Sequence, residues 1–297
     1  MKIDRNLKVF SYLAIIVTVI FWGYSFVSTK ILLDVLPPVT IAFFRQIIAA
    51  ATLFTLLFIK RMFVRMPIRD VLLLFAASFF GIVLYFVFEN TGLKFTTASN
   101  GSIIVAAVPI FTLITEFLFY KFKITSRVIL CVFMSVIGVF LVIFEKGVNF
   151  SSGYTKGNLL MVGAMVAWVI YTIICKTLTE KYSGIIITAY QMAAASILFI
   201  PFVIPEIKSW QPIAGYELAN LLYLALFCSA LAYYLFNFAV RGLGATVSSM
   251  FLNLIPVVSI IGGVLVLNES ISVIQIGGML LIMLSLVFIK GKEKHKN

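Results

Sequence analysis

Charged residues are scarce in this chain. Of its 297 residues, 11% are Asp, Glu, Lys or Arg and 62% are hydrophobic. A soluble domain carries about 25% charged residues, so this composition excludes an ordinary water-exposed surface. It indicates a protein whose solvent is a lipid bilayer, which only helices and closed barrels can span. The long apolar runs show no alternation of period two, and this favours helices over a barrel.

Side chains that commonly carry catalysis are also few. The one histidine, His295, lies among lysines near the C-terminus, so the spans offer no imidazole. Cys131, Cys175 and Cys228 stand apart inside apolar runs, and their spacing indicates neither a disulfide framework nor a zinc site. The sequence has no Gly-x-Ser-x-Gly and no paired acidic motif. We therefore expect a protein that is not an enzyme, with no cofactor and no bound metal.

The apolar runs predict ten transmembrane helices, because a span needs about 20 apolar residues. The runs cover residues 11–33, 38–59, 71–89, 97–119, 127–144, 157–177, 184–204, 217–239, 245–267 and 271–289. Basic residues before the first run imitate a signal peptide, but the uncharged stretch Ser11–Thr29 is long and lacks an Ala-x-Ala site. We expect an uncleaved first span and an all-α, polytopic membrane protein.

Lysine and arginine are distributed unequally between alternate loops. Seventeen of the 23 lie on the side that holds the N-terminus, and four lie in the loops of the other side. Basic loops remain in the cytoplasm, so we expect both termini to be cytoplasmic and the protein to lie in the cytoplasmic (inner) membrane. The net charge of +12 resides mainly in loops and tails and does not indicate binding to nucleic acid.

The two halves of the chain repeat each other at an offset of 146 residues, which becomes 147 from the third span onward. The matched positions include Trp22 with Trp168, Arg45 with Gln191, Asn90 with Asn237, and Pro109 with Pro256. With five spans in each half, the second copy enters the membrane upside down. Such inverted repeats are common in secondary transporters. The predicted repeats are residues 1–146 and 147–297.

The fourth and ninth predicted spans carry matching polar stripes. The stripes are Ser99, Ser102, Ala106 and Pro109 in one, and Thr246, Ser249, Asn253 and Pro256 in the other. Each proline frees the carbonyl four residues back, that of Val105 or Leu252, from its helical partner. The stripes are either tight packing faces beside a kink or walls of a substrate cavity. The amide of Asn253 needs partners and favours the cavity, in which case Pro109 and Pro256 act as hinges.

Arg45 lies about 10 Å into the second span, at 1.5 Å per residue. A guanidinium at this depth is costly and faces a cavity or a partner. Two interpretations stay open. Arg45 forms an ion pair with Glu89 near the end of the third span, or it joins Gln46 in attracting an anionic group such as a substrate carboxylate.

Aromatic residues in polar segments complete the predicted site. Trp22 is open to interpretation as an interfacial belt residue, with Lys30 extending to water, but its repetition as Trp168 favours an interior role. We expect the substrate between the two stripes, walled by Trp22 and Trp168. The predicted substrate-binding residues are Trp22, Ser25, Arg45, Gln46, Tyr85, Asn90, Ser99, Ser102, Trp168, Tyr171, Tyr190, Gln191, Tyr233, Asn237, Ser249 and Asn253.

Several short motifs, in their order along the chain, resemble the drug/metabolite transporter superfamily and its EamA branch. They are Trp-Gly-x-Ser-Phe-x-x-x-Lys at 22–30, Phe43–Arg45, Gly92–Ser99, Val108–Phe111, Leu254–Val257, Leu267–Ser270 and Gly277–Gly278. The resemblance covers nearly the whole chain. It implies a secondary transporter that exports amino acids, related amphipathic solutes or drugs by alternating access.

Other functional classes remain as alternatives. A membrane channel, or a receptor-like subunit without carrier activity, would also span the bilayer many times. A receptor has no need of matching polar stripes in both halves, and kinked spans favour a carrier over a channel. We expect a monomer or homodimer in the lipid bilayer that takes a small-molecule substrate and no nucleic acid.

Overall fold

The computed structural model of the protein describes residues 5–108, 110–111, 126–145, 152–243, 247–248 and 251–290. Within these ranges the regular elements are all helical. The α-helices are α1 (Arg5–Leu32), α2 (Pro38–Ile59), α3 (Ile68–Ser78), α4 (Tyr85–Phe95), α5 (Ala98–Val105), α6 (Ser126–Ile143), α7 (Gly153–Lys181), α8 (Gly184–Leu198), α9 (Ile200–Val203), α10 (Tyr216–Leu222), α11 (Ala232–Leu243), α12 (Ile255–Leu267) and α13 (Val273–Lys290).

The lengths of these helices suit a membrane protein. Five helical rods in the described ranges are long and apolar enough to cross a bilayer, and a bent pair, Gly184–Leu198 with Ile200–Ser209, makes a sixth. Three shorter apolar helices accompany them. The predicted all-α polytopic fold is confirmed. The count of ten spans stays a prediction, because parts of the fourth and ninth spans lie outside the described residues.

Two of the long rods contain a wide-turned π-helical segment. The segment Phe79–Leu84 joins α3 to α4, and the segment Tyr223–Leu231 joins α10 to α11. They end 147 residues apart, which is the offset between the two halves of the sequence. A π turn is rare and disturbs the regular pairing of backbone carbonyls. The two halves of the chain therefore share this irregularity at matched positions, and the inversion of the second half stays a prediction.

The helices that carry the polar stripes are interrupted. Helix α5 ends at Val105 and a turn follows at Ala106. In the other half, a 3₁₀ turn, Leu252–Leu254, precedes α12, and Pro256 lies in the first helical turn, where its missing N–H is not needed. Pro109 lies outside the described residues. The breaks are present, and the movement of either proline as a hinge stays a prediction.

Helices α6 and α13 touch through their backbones. A Cβ atom built on Gly138 would lie 2.7 Å from the carbonyl oxygen of Gly278, and one on Gly278 would lie 2.8 Å from that of Gly138. Both distances are shorter than van der Waals contact. Small residues permit this close approach between apolar helices, so the two glycines set the spacing of the pair.

One end of the bundle is held by an ion pair, and we call it the Asp70 end. The side chain of Lys181 donates to Asp70 Oδ1 at 2.7 Å, and the Tyr182 hydroxyl donates to Asp70 Oδ2 at 2.7 Å. These bonds join the start of α3 to the end of α7. The link therefore ties the first repeat to the second at this end.

The opposite end, called the Glu206 end, is held by carboxylates at helix N-termini. Glu206 accepts hydrogen bonds from the N–H and hydroxyl of Thr40, at 2.7 and 2.8 Å, at the start of α2. Glu269 accepts from Ala98 N at 2.8 Å and from the Ser99 hydroxyl at 2.6 Å, at the start of α5. A negative charge there satisfies free N–H groups and complements the helix dipole.

Lys30 completes the contacts of the Glu206 end. Its ammonium group donates to the carbonyl oxygens of Leu93, at 2.5 Å, and Thr96, at 2.7 Å, where α4 finishes. A cation suits the negative end of a helix dipole. Lys30 is half-buried, and these two bonds connect α1 to the segment between α4 and α5.

Candidate functional site

A small internal cavity lies where the two repeats meet. Its lining comes from seven helical segments and the 3₁₀ turn, and consists of Trp22, Ser25, Phe26, Arg45, Tyr85, Phe86, Glu89, Val105, Trp168, Tyr233, Leu252 and Ile255. The volume is about 30 Å³, which holds roughly two water molecules. A larger solute can enter only if the surrounding helices move apart.

The aromatic part of the lining is a connected cluster. The rings of Trp22 and Trp168 meet edge to face with centroids 5.2 Å apart. Tyr233 lies 5.3 Å from Trp22 and 5.8 Å from Trp168, and Tyr85 lies 5.3 Å from Trp168. Edge-to-face pairs of this kind add to the stability of apolar packing. The two tryptophans touch each other rather than facing across an open space.

Arg45 presents its charge to this cavity. Its side chain is only 1% exposed, its Nε donates to the Ser229 hydroxyl at 3.2 Å, and its guanidinium lies 4.2 Å from the ring centroid of Phe86. The Nη1 atom is buried and has no hydrogen-bond partner. A buried cation with an unused donor is costly to hold, so this nitrogen is a strong candidate for contact with a ligand.

Glu89 brings a negative charge to the same cavity. Its side chain is 2% exposed, it interacts with the Tyr85 hydroxyl one turn earlier, and its Oε2 atom has no hydrogen-bond partner. In the described part of the chain, the ion pair within 4.0 Å is that of Lys181 with Asp70. Arg45 and Glu89 therefore share a cavity without forming the direct ion pair that the sequence allowed.

The two tryptophans differ in their hydrogen bonding. Trp22 Nε1 donates to the carbonyl oxygen of Cys228 in the second π segment, at 2.9 Å. The equivalent carbonyl in the first π segment belongs to Gly81, and it accepts from the Tyr233 hydroxyl at 3.2 Å. Trp168 Nε1 is left buried without a partner. The cavity thus has a second free donor besides Arg45.

Two of the predicted binding residues from the fourth span bond to protein instead. The Ser99 hydroxyl binds Glu269, and the Ser102 hydroxyl donates to the carbonyl of Ser99 at 2.8 Å. Neither side chain lines the cavity. Ser99 faces Glu269, and within α5 the residue that lines the cavity is Val105, in the last turn of the helix.

The matched asparagines join helices to one another. Asn90 donates to the carbonyl of Pro38 at 2.9 Å, and Asn237 donates to the Thr188 hydroxyl at 3.0 Å. In each repeat the asparagine therefore connects the third span to the first turns of the second. Their equivalence reflects repeated packing, and both lie outside the cavity lining.

The remaining predicted residues lie outside the lining as well. Gln191 donates to Cys175 Sγ at 3.1 Å, and Tyr171 packs behind Trp168 with ring centroids 4.8 Å apart. Gln46 is fully buried on α2. Tyr190 lies near the Asp70 end, where its hydroxyl donates to the Val64 carbonyl at 3.0 Å.

The ninth span is described in part. Asn253 is buried in the 3₁₀ turn next to Leu252, and Ser249 lies outside the described residues. Substrate binding by all of the predicted residues stays a prediction. The structure brings together Trp22, Ser25, Arg45, Tyr85, Trp168 and Tyr233 from the predicted set.

Sequence reasoning missed half of the lining. The missed residues are Phe26, Phe86, Glu89, Val105, Leu252 and Ile255. Glu89 had a usable signal, because a carboxylate inside an apolar span is a functional candidate by itself. The apolar residues had none, since they look like any other residue of a membrane helix.

Comparison with known proteins adds the family. The model of the EamA-like transporter family matches residues 9–144 and again residues 155–291. The chain belongs to the EamA-like transporter family. The two matches occupy the two halves of the chain, and the family consists of membrane transporters rather than enzymes.

Relatives of this family member are similar over nearly their whole length. An uncharacterized transporter of Archaeoglobus fulgidus is 30% identical over 285 residues, which cover 95% of this chain and 99% of the relative. A probable terminal-alkyne amino-acid exporter of Streptantibioticus cattleyicolor is 23% identical and covers 86% of this chain and 85% of its own. A solved crystal structure shares the fold, with a TM-score of 0.67 at 16% identity over 94% of this chain and 96% of its own.

Proposed function

We propose that this EamA-like transporter is a carrier of the cytoplasmic membrane that exports small amphipathic solutes bearing a carboxylate. Both termini face the cytoplasm, so the Asp70 end is the inner end and the Glu206 end is the outer one. The solute occupies the cavity between the repeats.

The observation that carries the proposal is the pair of unused donors in that cavity. Arg45 Nη1 and Trp168 Nε1 are buried, lack partners and belong to side chains that line the same space. Guanidinium groups bind carboxylates strongly and often through two parallel bonds. Aromatic walls around a few placed polar groups are typical of small-molecule sites.

The contacts at the two ends support alternating access. Asp70, Lys181 and Tyr182 tie the repeats together at the inner end. Lys30, Ser99 and Glu269 join the helices of the outer end. With both sets intact the cavity is too small for a solute, so a carrier must open one set at a time. The similarity to the probable terminal-alkyne amino-acid exporter of Streptantibioticus cattleyicolor supports amino acids as the first substrates to test.

Counterflow in vesicles tests this function. Purified protein is reconstituted, the vesicles are loaded with an unlabelled amino acid, and uptake of the labelled form is followed. A carrier gives a transient accumulation that saturates. A channel gives flux without accumulation, and a receptor-like subunit gives no flux. Either of these two results would contradict the proposed carrier function.

Variants of Arg45 then test the role of the guanidinium. Arg45→Gln should weaken carboxylate transport by about tenfold or more, because it removes a charge-assisted bond. Arg65→Gln is the control, since Arg65 is an exposed arginine far from the cavity. If Arg45→Gln fails to fold and Arg45→Gln/Glu89→Gln restores the protein, the guanidinium serves a structural pair instead.

A further inference from the structure

The cavity holds both a cation and an anion, and both come from the first repeat. The position matched to Arg45 in the second repeat is Gln191, and the position matched to Glu89 is Phe236. Repetition of the fold therefore does not explain the two charges. They distinguish the two halves of an otherwise repeated site.

Each of these charged groups keeps one atom unused. Arg45 Nη1 is a donor without an acceptor, and Glu89 Oε2 is an acceptor without a donor. Both side chains line the cavity, and they are not within 4.0 Å of each other as an ion pair. Groups that served only to neutralise each other would gain most from direct contact, because a buried charge without a partner is destabilising.

We propose that Glu89 is the binding site for a substrate ammonium group, so that the carrier recognises α-amino acids and similar zwitterions. The inference rests on the proposed function, in which Arg45 takes the carboxylate. Glu89 Oε2 accepts hydrogen bonds from the ammonium, while Arg45 Nη1 and Trp168 Nε1 donate to the carboxylate. The bound zwitterion then supplies partners for the two unused atoms, Arg45 Nη1 and Glu89 Oε2.

The neighbours of Glu89 suit this role. The Tyr85 hydroxyl interacts with the Glu89 carboxylate, and the rings of Tyr85 and Phe86 line the cavity beside it. Aromatic faces attract cations in a desolvated site. Another part of the wall, formed by Phe26, Val105, Leu252 and Ile255, is apolar and matches the side chain of a hydrophobic amino acid.

The test uses sets of three probes that share one side chain and differ only in charged groups. One set is phenylalanine, phenethylamine and 3-phenylpropanoate, and the other is leucine, isopentylamine and 4-methylpentanoate. Binding to the purified full chain is measured by quenching of tryptophan fluorescence, which Trp22 and Trp168 report from inside the cavity. The wild-type protein should bind each amino acid at least about tenfold more tightly than either of its analogues, because one charge-assisted bond is missing in each analogue.

The Glu89→Gln variant should lose the preference for the ammonium group selectively. Its affinity for the amino acid should fall about tenfold, while its affinity for the matching carboxylate analogue changes by less than about twofold. Asp34→Asn, which removes an exposed carboxylate outside the cavity, should leave all affinities unchanged. Arg45→Gln should show the mirror pattern, with the amine analogue unaffected.

Three results would overturn the inference. Equal weakening of the amino acid and its carboxylate analogue in Glu89→Gln would mean a structural role. Unchanged affinity ratios with loss of flux driven by a pH gradient would mean a proton site. Binding of the carboxylate analogues through Arg45, with no gain from the ammonium group, would leave the proposed function standing and remove this inference alone.

Two further outcomes are also decisive. If no probe binds through Arg45, the proposed function fails together with the inference. If Glu89→Gln does not fold, the ratio is measured on Glu89→Asp, whose charge lies one methylene farther back. A lowered preference for the amino acid over the carboxylate analogue supports the site, and an unchanged preference contradicts it.

Discussion

Trp22 and Trp168 occupy matched positions but have different bonding. Trp22 Nε1 finds the Cys228 carbonyl, whereas the matched carbonyl of Gly81 is taken by Tyr233. Gly81 also allows Tyr171 to approach, since a Cβ there would lie 2.2 Å from the tyrosine ring. Because their neighbours differ, Trp22 forms a structural hydrogen bond, whereas Trp168 keeps an indole N–H without a partner.

Replacing each tryptophan by phenylalanine should separate these roles. Trp22→Phe should lower the free energy of unfolding by about 1–3 kcal/mol, because the Cys228 carbonyl loses its partner in a buried setting. Trp168→Phe removes no intramolecular hydrogen bond, so it should cost less stability and weaken ligand binding more. Thermal unfolding in detergent and fluorescence titration measure the two effects. Equal losses of stability in both variants would contradict the assignment.

Two signals led sequence reasoning to residues of the site, namely the cost of burying a charge and repetition between the two halves. Arg45 stands out because a charge inside a span demands an explanation, and Trp22 and Trp168 stand out because they repeat. Asn90 and Asn237 repeat equally well, yet they bond helices together. Polar residues at matched positions occur both where helices pack together and where a ligand binds. Their spacing alone therefore does not distinguish a packing residue from a binding residue.

At the scale of helices, the Gly138–Gly278 contact constrains the spacing of α6 and α13. Gly278→Ala should lower the stability of the protein by about 1–3 kcal/mol, because its Cβ would overlap the Gly138 carbonyl and the Val142 side chain. Gly277→Ala is the matched control. A Cβ at Gly277 meets no atom within 4 Å, and alanine has the higher helix propensity, by up to about 1 kcal/mol.

The melting temperatures of the two purified variants check this prediction. Gly278→Ala should melt lower than the wild type, while Gly277→Ala should melt at the same temperature or higher. Similar destabilisation by both would mean that the cost comes from the helix itself and not from its contact with α6.

The existence of the helices was predictable, and their internal breaks were predictable only in part. Long apolar runs define spans, and Pro256 marks the start of a helix after a 3₁₀ turn. The π segments Phe79–Leu84 and Tyr223–Leu231 have no such marker. They depend on tertiary hydrogen bonds, such as those to the Gly81 and Cys228 carbonyls, which a sequence does not display.

At the scale of the whole molecule, the orientation in the membrane is open to direct measurement. Cysteine at Arg65 should be shielded from an impermeant thiol reagent in intact cells, whereas cysteine at Ser152 should be labelled. This expectation rests on the distribution of lysine and arginine, with seventeen on the side of the N-terminus and four in the loops of the other side. The native cysteines are all buried, which keeps the background low. The reverse labelling pattern would refute the proposed orientation.

The inverted repeat itself was accessible from sequence, because the offset of 146 to 147 residues recurs in motifs along the chain. What the sequence could not give was which residues of each half line the cavity. The repeat predicts two equal polar stripes, but the charged lining, Arg45 and Glu89, comes from one half only. The substrate was placed between the stripes because the two halves of the sequence match. Arg45 and Glu89 have no charged counterparts in the second half, so the match did not reveal them.

The opposite charges of Arg45 and Glu89 also have an electrical consequence. Together they give the cavity a formal charge of zero, and a bound zwitterion adds none. Moving one elementary charge across a membrane potential of 100 mV involves about 2.3 kcal/mol of work. When a zwitterion moves within a site of zero formal charge, no net charge crosses the membrane, so the potential does no net work. The voltage of an energised cell then neither drives nor opposes the movement. Under the proposed function, the concentration gradient of the solute, and not the membrane potential, then sets the direction of its net movement.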